Sequence, residues 1–165
     1  MCIRDSINIG EETLDEQNSI IESLESENTQ TGRAITTLCA KFDMELNSLS
    51  EEEAKEFQED IGVLERGYEG VLRLSYELLG LISFLTVGED ECRAWTIKKG
   101  LSAPKAAGQI HTDLERGFIR AEVIAWDTLL SIGTETEAKR QGLIRTEGKD
   151  YIVQDGDVMH ILFNV

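Results

Sequence analysis

The pattern of apolar and polar residues predicts helices around one buried strand in the first eighty residues. Residues 12–26 carry an incomplete apolar stripe among acids, which indicates a helix. Residues 33–40 (RAITTLCA) are apolar and rich in β-branched side chains, so they predict a buried strand. Ser50 and Glu53 form a Ser-x-x-Glu capping box that predicts an acidic helix ending near Gly62. A further helix is predicted over residues 66–79, with one apolar face made by Tyr68, Val71, Leu72, Tyr76 and Leu79.

From residue 81 the pattern is typical of short strands that alternate with helices. Turn residues separate predicted strands at 81–87, 92–97, 118–124, 151–153 and 158–163. Helices are predicted from Ser102 to about residue 115 and from the capping pair Thr134 and Glu137 to about residue 142. In the strand 118–124 we expect Ile119, Ala121 and Val123 on one face. This order predicts one mixed sheet with a helix packed across it, an α+β fold of the β-grasp kind.

Composition narrows the class of protein. The chain has 165 residues, which is enough for one domain or for a small domain with part of another. Its three cysteines include no Cys-x-x-Cys pair, so we expect reduced thiols and a cytoplasmic location. No apolar run is long enough to span a membrane, and the first residues lack the apolar stretch of a signal peptide.

Charge is distributed unevenly between the two halves. The formal net charge is −16, of which −13 falls in residues 1–80 and −3 in residues 81–165. Such an acidic chain is a poor non-specific binder of polyanions, and we expect no DNA partner and no membrane partner. If a part of the chain meets RNA, it should be the near-neutral second half.

Candidate catalytic chemistry is sparse. The chain contains no Gly-x-x-x-x-Gly-Lys-Ser/Thr loop, the motif that holds nucleotide phosphates and magnesium. We therefore expect the 165 residues alone neither to hydrolyse ATP nor to bind it tightly, and we predict no catalytic residue and no metal site. Asp155-Gly156-Asp157 predicts a turn rather than a cation site. His111-Thr112-Asp113 has no nucleophile nearby in sequence and predicts a helix end.

A series of segments in the second half is specific enough to indicate a family. In order they are RAWTIKKG (93–100), APKAAG (103–108), IHTD (110–113), ERGFIRAEV (115–123), EGKDY (147–151), DGDV (155–158) and FNV (163–165). The series resembles the TGS domain that ends the YchF-type (Obg-like) ATPases, although that family usually has Gln at Lys105 and Phe at Leu114. The resemblance implies a ubiquitin-like β-grasp domain at 81–165 that docks on the ribosome, on its large subunit, or on RNA.

The first eighty residues resemble the end of the same family's P-loop-type nucleotide-binding domain, which implies an incomplete α/β remnant at 1–80. Asn8-Ile9-Gly10-Glu11 matches the family's Asn-x-x-Glu motif, where ordinary GTPases carry Asn-Lys-x-Asp. That aspartate accepts two hydrogen bonds from guanine, and its loss removes the preference for guanine over adenine. The alternative is a plain Asn turn before an acidic helix.

The resemblance also implies a role for each residue of that motif. Asn8 would bond the base edge, Ile9 would pack on adenine and Glu11 would hold the altered specificity position. Cys39-Ala40-Lys41 resembles a second base-contacting loop, whose backbone N–H groups would face the base. Residues 1–6 (MCIRDS) depart from the family, which has an apolar strand there, and we expect them to be a foreign or misassembled start.

The second half also offers a candidate RNA or ribosome contact. Phe118 stands between two arginines, Arg116 and Arg120, and His111 lies just before them. An aromatic ring flanked by arginines is a common way to hold single-stranded RNA. The alternative is that Phe118 belongs to the core and the arginines are solvated. Trp95 and Trp126 are expected to pack in the core or at a domain interface.

Three hypotheses follow from the resemblance. In the first, the chain is the interaction module of an ATPase that uses ATP and magnesium in its full-length form. In the second, it completes an active ATPase when a separate N-terminal part is supplied. In the third, it is a truncated and partly unfolded gene product with no activity of its own.

Overall fold

The computed structural model describes residues 3–27, 32–63, 66–88 and 90–164. The chain divides into two compact units, Met1–Leu79 and Gly80–Val165, each with its own buried cluster. Within the described ranges, no helix is both long and apolar enough to cross a bilayer.

The first unit is built on two parallel strands. Strand β1 (Ile3–Asn8) pairs with β2 (Arg33–Leu38), and Asn8 stands opposite Leu38. The connection between them is a 3₁₀ helix (Glu11–Glu16) followed by α1 (Gln17–Glu27), so the predicted helix over 12–26 has a tighter first part. Three helices follow: α2 (Ala40–Leu46), α3 (Glu51–Ile61) and α4 (Gly67–Leu79).

A small apolar cluster holds the first unit together. Its buried members are Leu14, Cys39, Phe42, Leu46, Ala54 and Val63. The predicted capping box of α3 is confirmed, because the Ser50 hydroxyl accepts from the Glu53 N–H and the Glu53 carboxylate accepts from the Ser50 N–H. Gly62 ends α3 with a left-handed φ of 77°, a conformation that glycine adopts at little cost.

Strand β1 forms despite its polar residues. Asp5 lies in the strand and pairs with Arg33 of β2, with 2.5 Å between the guanidinium nitrogen and the carboxylate oxygen. An ion pair between neighbouring strands offsets the loss of an apolar residue at a half-exposed position. The expectation that residues 1–6 are a foreign start stays a prediction, and Met1 and Cys2 lie outside the described residues.

The predicted apolar face of α4 is present but largely exposed. Helix α4 packs against β1 and β2, and its buried position is Gly70 rather than a large side chain. The members of the predicted face that remain exposed are Tyr68, Leu72, Tyr76 and Leu79. The start of α4 approaches the end of β2 so closely that a Cβ at Gly67 would meet the Leu38 side chain at 2.6 Å.

The second unit contains one five-stranded mixed sheet in the order β4-β3-β7-β5-β6. Its strands are β3 (Leu81–Val87), β4 (Cys92–Lys98), β5 (Phe118–Ala125), β6 (Arg145–Glu147) and β7 (Asp157–Phe163). Its helices are α5 (Ala103–Ile110), α6 (Thr112–Arg116), α7 (Trp126–Ile132) and α8 (Glu135–Arg140). The central strands β3 and β7 are parallel, and the other neighbouring strands are antiparallel.

Both faces of this sheet are used. On one face α5 contributes Ala103, Ala106 and Ala107 to a cluster with Phe84 and Val123 of the sheet. The small alanines let the helix approach the strands closely. On the other face a smaller cluster of Ile124, Ala138 and Val158 is joined by partly buried side chains of α7.

Several predictions for the second half were wrong in detail. The predicted helix from Ser102 to residue 115 is broken at His111, whose backbone is extended with φ −160° and ψ 144°. Helix α7 and strand β6 were not predicted. The predicted strand 151–153 is an isolated bridge between Ser102 and Ile152. Trp126 is 51% exposed, so it does not belong to the core.

Candidate functional site

The carboxyl ends of β1 and β2 bring together the residues predicted to contact a nucleotide base. Asn8 ends β1, and Cys39 and Ala40 directly follow β2. The side-chain oxygen Oδ1 of Asn8 accepts a hydrogen bond from the Ala40 N–H at 3.0 Å. In open α/β sheets ligands bind outside the carboxyl ends of parallel strands, which is where this bond lies.

The same bond corrects one expectation. The N–H of Ala40 was expected to face the base, but it is directed at Asn8. The Asn8 amide has a second polar group, its NH₂, which supplies two donors. The Asn8 side chain therefore carries hydrogen-bond donors at the carboxyl end of β1.

Ile9 takes a more internal position than expected, and Cys39 is buried, as predicted for the end of a buried strand. The Ile9 N–H donates to the Leu38 carbonyl at 2.8 Å, and its half-buried side chain packs against the apolar cluster of the first unit. The Cys39 side chain is buried in that cluster with a free thiol. The backbone of Cys39 lies at the carboxyl end of β2, and its side chain packs in the cluster beneath the loop.

An ion pair occupies the position that distinguishes this motif from a guanine-binding one. The Lys41 ammonium donates to the Glu11 carboxylate, and Glu45 lies 3.9 Å from the same ammonium. The hydrogen bond to Glu11 is the main reason that the pKa of Lys41 is raised above its ordinary value. The ion pair uses the Oε2 atom of Glu11 and joins the loop after β1 to the start of α2. Sequence reasoning placed Lys41 in the loop but missed this pairing.

The second candidate site lies at the corner between α6 and β5. His111 caps α6, where its Nδ1 accepts from the Asp113 N–H at 3.2 Å, and its side chain is exposed. Arg116 and Arg120 are also exposed. Arg120 stands opposite Leu162 in the register of β5 with β7.

Phe118 does not belong to this exposed surface. Its side chain is 3% exposed and lies in the main apolar cluster, so the expectation that it stacks on a base is wrong. The cause is an irregularity in β5 between Phe118 and Arg120, which turns Ile119 outward to 54% exposure. The same irregularity overturns the expectation that Ile119 shares a face with Ala121 and Val123.

The two units define a mixed α+β protein with one mixed sheet in the second unit. Comparison with known proteins supports a narrower assignment. The family model YchF-GTPase_C, described as "Protein of unknown function (DUF933)", matches residues 81–164. The chain belongs to this family, and it corresponds to the C-terminal part of YchF proteins.

Related sequences agree with this assignment. The chain is 50% identical over 131 residues to the ribosome-binding ATPase YchF of Bacillus subtilis, a match that covers 79% of the chain and 36% of that relative. It is 46% identical over 158 residues to the protein of the same name from Haemophilus ducreyi, with 96% and 43% covered. The chain therefore spans less than half the length of the curated relatives it matches.

Solved structures agree as well. The YchF GTPase of Schizosaccharomyces pombe is similar with a TM-score of 0.74 and 32% identity, and the match covers 95% of this chain and 42% of that one. A GTP binding protein of Pyrococcus horikoshii shares the fold with a TM-score of 0.61 at 22% identity, over 98% of this chain and 45% of that one.

Proposed function

We propose that this chain provides the base-recognition edge and the partner-binding domain of a YchF-type ATPase that associates with the ribosome in the cytoplasm. One observation carries the proposal: the Asn8–Ala40 hydrogen bond joins the loops that follow two parallel strands. Asn8 then donates to the edge of adenine, and Glu11, paired with Lys41, stands where guanine-binding motifs carry their aspartate. ATP hydrolysis belongs to the whole protein, with the phosphate and magnesium ligands outside these 165 residues.

The base-recognition edge is tested with nucleosides, because they carry no phosphate. Adenosine added to the ¹⁵N-labelled chain should shift the resonances of the Asn8 side-chain amide and of the Ala40 N–H. Asn8→Ala should weaken this response by roughly two- to tenfold, the value of a hydrogen bond that is lost to water. Asn18→Ala, at an exposed position of α1, is the matched control and should leave the response unchanged. A stronger response to guanosine than to adenosine would contradict the assignment.

We further propose that the second unit is a TGS domain of the β-grasp type, and that it contacts the ribosome or its RNA. The order β4-β3-β7-β5-β6, with a parallel central pair and α5 across one face, supports the β-grasp assignment. Exposed Arg116 and Arg120 support contact with phosphates, since arginine binds phosphate with two parallel hydrogen bonds. The names of the relatives favour the ribosome as the partner.

The ribosome contact is tested by co-sedimentation of the chain with 70S particles and with separated subunits. Arg116→Ala combined with Arg120→Ala should reduce pelleting by about tenfold and should flatten its salt dependence, because two phosphate contacts are lost. Arg140→Ala combined with Lys149→Ala removes the same charge from other exposed positions and should change pelleting little. Equal pelleting of both double variants would remove the arginine surface from the proposal.

A truncated gene product without activity remains the second candidate. It is favoured by the small size of the cluster in the first unit, which has six buried members. Loss of protection across residues 3–63 in hydrogen exchange would support it.

A further inference from the structure

An apolar groove lies on the second unit, on the sheet face opposite α5. It has a volume of about 360 Å³ and lies between α7 and the hairpin formed by β3 and β4. Leu85 and Val158 form its floor, and Leu130, Trp126, Val87 and Cys92 form its walls. A volume of this size accepts one or two large apolar side chains.

The groove is built by a specific packing arrangement. Gly156 has a φ of 79°, and a Cβ at this position would meet the indole ring of Trp126 at 2.4 Å. The Gly156 N–H donates to the Ser83 carbonyl at 2.8 Å, and the Gly156 carbonyl accepts from the Trp126 N–H at 3.1 Å. The turn therefore ties β3 to the start of α7 and sets one side of the indole against the glycine. A half-exposed tryptophan held in this way has the character of an interface anchor.

Three large apolar side chains of the groove are exposed to solvent. Leu130 is 71% exposed, Trp126 is 51% exposed and Val87 is 38% exposed. Contiguous apolar surface of this kind is typical of binding sites, whereas single exposed apolar residues need no explanation.

The charges around the groove are acidic. Among the described lining residues Asp155 is the charged one, and its Oδ1 accepts from the Ser83 N–H at 2.8 Å. Asp127 follows Trp126 in sequence, Glu91 precedes Cys92, and both acids are exposed. The nearby Arg93 guanidinium lies 4.2 Å over the ring of Trp95, on the other face of β4 from Cys92.

We propose that this groove binds a basic peptide segment of a partner protein, with a leucine or aromatic anchor seated between Trp126 and the hairpin. Apolar walls would take the anchor, and the acidic rim would attract flanking lysines or arginines. The rim disfavours RNA because carboxylates repel phosphates. A net charge of −16 also disfavours a second copy of this chain at an acidic rim.

This surface is separate from the arginine corner. Arg120 stands opposite Leu162 of β7, whereas the groove is lined by Val158 of the same strand. Leu162 and Val158 are four residues apart, which places them roughly 13 Å from each other along the strand. The proposal therefore stands or fails independently of ribosome binding through Arg116 and Arg120.

The test uses the full 165-residue chain and three fluorescein-labelled synthetic peptides. The first is a lysine-rich helix former with two leucines spaced four residues apart, the second has glutamate for each lysine, and the third has serine for each leucine. Fluorescence anisotropy should show binding of the first peptide at a Kd of about 10 µM, a common affinity for a small groove. The second and third should bind at least about tenfold more weakly.

Matched variants connect any binding to the groove. Leu130→Glu should weaken binding of the first peptide by at least about tenfold, because it places a charge in the apolar wall of the groove. Leu130 is an exposed residue of α7, so the fold should tolerate the change. Leu143→Glu makes the same change at an exposed site outside the groove and should leave binding unchanged. Asp155→Asn keeps the oxygen that accepts from Ser83, so its effect reports charge alone, with a loss of about two- to fivefold.

Three results would overturn the proposal. The first is equal affinity for the lysine and glutamate peptides. The second is unchanged binding of the lysine peptide to Leu130→Glu, measured beside a circular dichroism spectrum that shows an intact fold. The third is a dimer of the chain in sedimentation equilibrium that Leu130→Glu dissociates, because the groove would then hold a second copy.

Discussion

At the scale of single residues, the carboxylate of Asp157 is buried in the second unit and held by several polar partners. Its side chain accepts from the Tyr151 hydroxyl at 2.7 Å and from the Gln154 N–H at 2.8 Å. Arg145 donates to the same tyrosine hydroxyl at 3.1 Å and lies 3.5 Å from Asp157. Asp157 is 3% exposed, and a buried carboxylate is tolerated only when such partners satisfy it. The network therefore fixes the turn before β7 against β6.

Removal of the tyrosine hydroxyl should destabilise this turn. Tyr151→Phe leaves the buried Asp157 with one donor fewer, and we expect a loss of about 1–2 kcal/mol in the free energy of unfolding at pH 7. Urea denaturation followed by tryptophan fluorescence measures this loss. Tyr68→Phe, which removes an exposed hydroxyl in the first unit, should change the unfolding free energy by less than about 0.5 kcal/mol.

The same tyrosine predicts how stability changes at alkaline pH. Burial, followed by the hydrogen bond to Asp157, raises the pKa of Tyr151 above the ordinary tyrosine value. The folded chain then holds this proton more tightly than the unfolded chain does, so the contribution is fully present below the unfolded pKa of about 10 and is lost as the pH rises through the folded value. The wild-type chain should therefore lose more stability than Tyr151→Phe between pH 9 and pH 11. Parallel losses in the two chains would contradict this assignment.

Predictions from sequence at the residue scale succeeded where the chemistry is local. The Ser50–Glu53 box and the Thr134 cap, whose hydroxyl accepts from the Glu137 N–H at 3.2 Å, depend on residues three apart in the chain. The prediction that Phe118 is exposed for stacking was wrong because its burial depends on the register of β5 with β7. The flanking arginines carry no information about that register.

At the scale of elements, the differences from the sequence pattern have local physical causes. The predicted helix after Ser102 stops at His111 because this residue takes an extended backbone and caps the next helix with its imidazole. Histidine is an uncommon cap, so a pattern of apolar spacing alone predicts one continuous helix. The result is a separate short helix, Thr112–Arg116, after the extended residue.

Helix α7 was missed for the opposite reason. Its sequence, Trp126–Ile132, is short and apolar and follows a strand directly, so it resembles a continuation of that strand. Its start depends on the bond between the Trp126 N–H and the Gly156 carbonyl, thirty residues further along the chain. Contacts between distant segments of this kind are absent from any local window, which is why the groove beside α7 was not predicted either.

At the scale of the whole molecule, the division into two units follows from the distribution of buried residues. The second unit has a main cluster of eleven buried residues and a second cluster on the other sheet face. The cluster of the first unit has six buried members among the described residues, beside a two-stranded sheet. The burial of apolar side chains in a small core only slightly exceeds the cost in chain entropy of folding. We therefore expect the first unit to be less stable than the second.

Native-state hydrogen exchange should therefore separate the chain into two classes of amide. Strands β3, β5 and β7 should exchange with free energies near that of global unfolding, and β1 and β2 should exchange at lower free energies. Leu46→Ala removes a side chain that is fully buried in the first unit and should cost about 2–5 kcal/mol there. Met159→Ala is the reciprocal change in the second unit.

The pattern of response distinguishes the hypotheses about this chain. Leu46→Ala should abolish protection in β2 while β5 and β7 keep theirs, because the side chain contributes to the cluster of the first unit alone. Faster exchange throughout the chain would show that the two clusters unfold as one, and the division at residue 79 would then lack energetic meaning. Wild-type β1 and β2 without protection would favour the partly unfolded gene product, since the proposed base contact of Asn8 requires that both strands are formed.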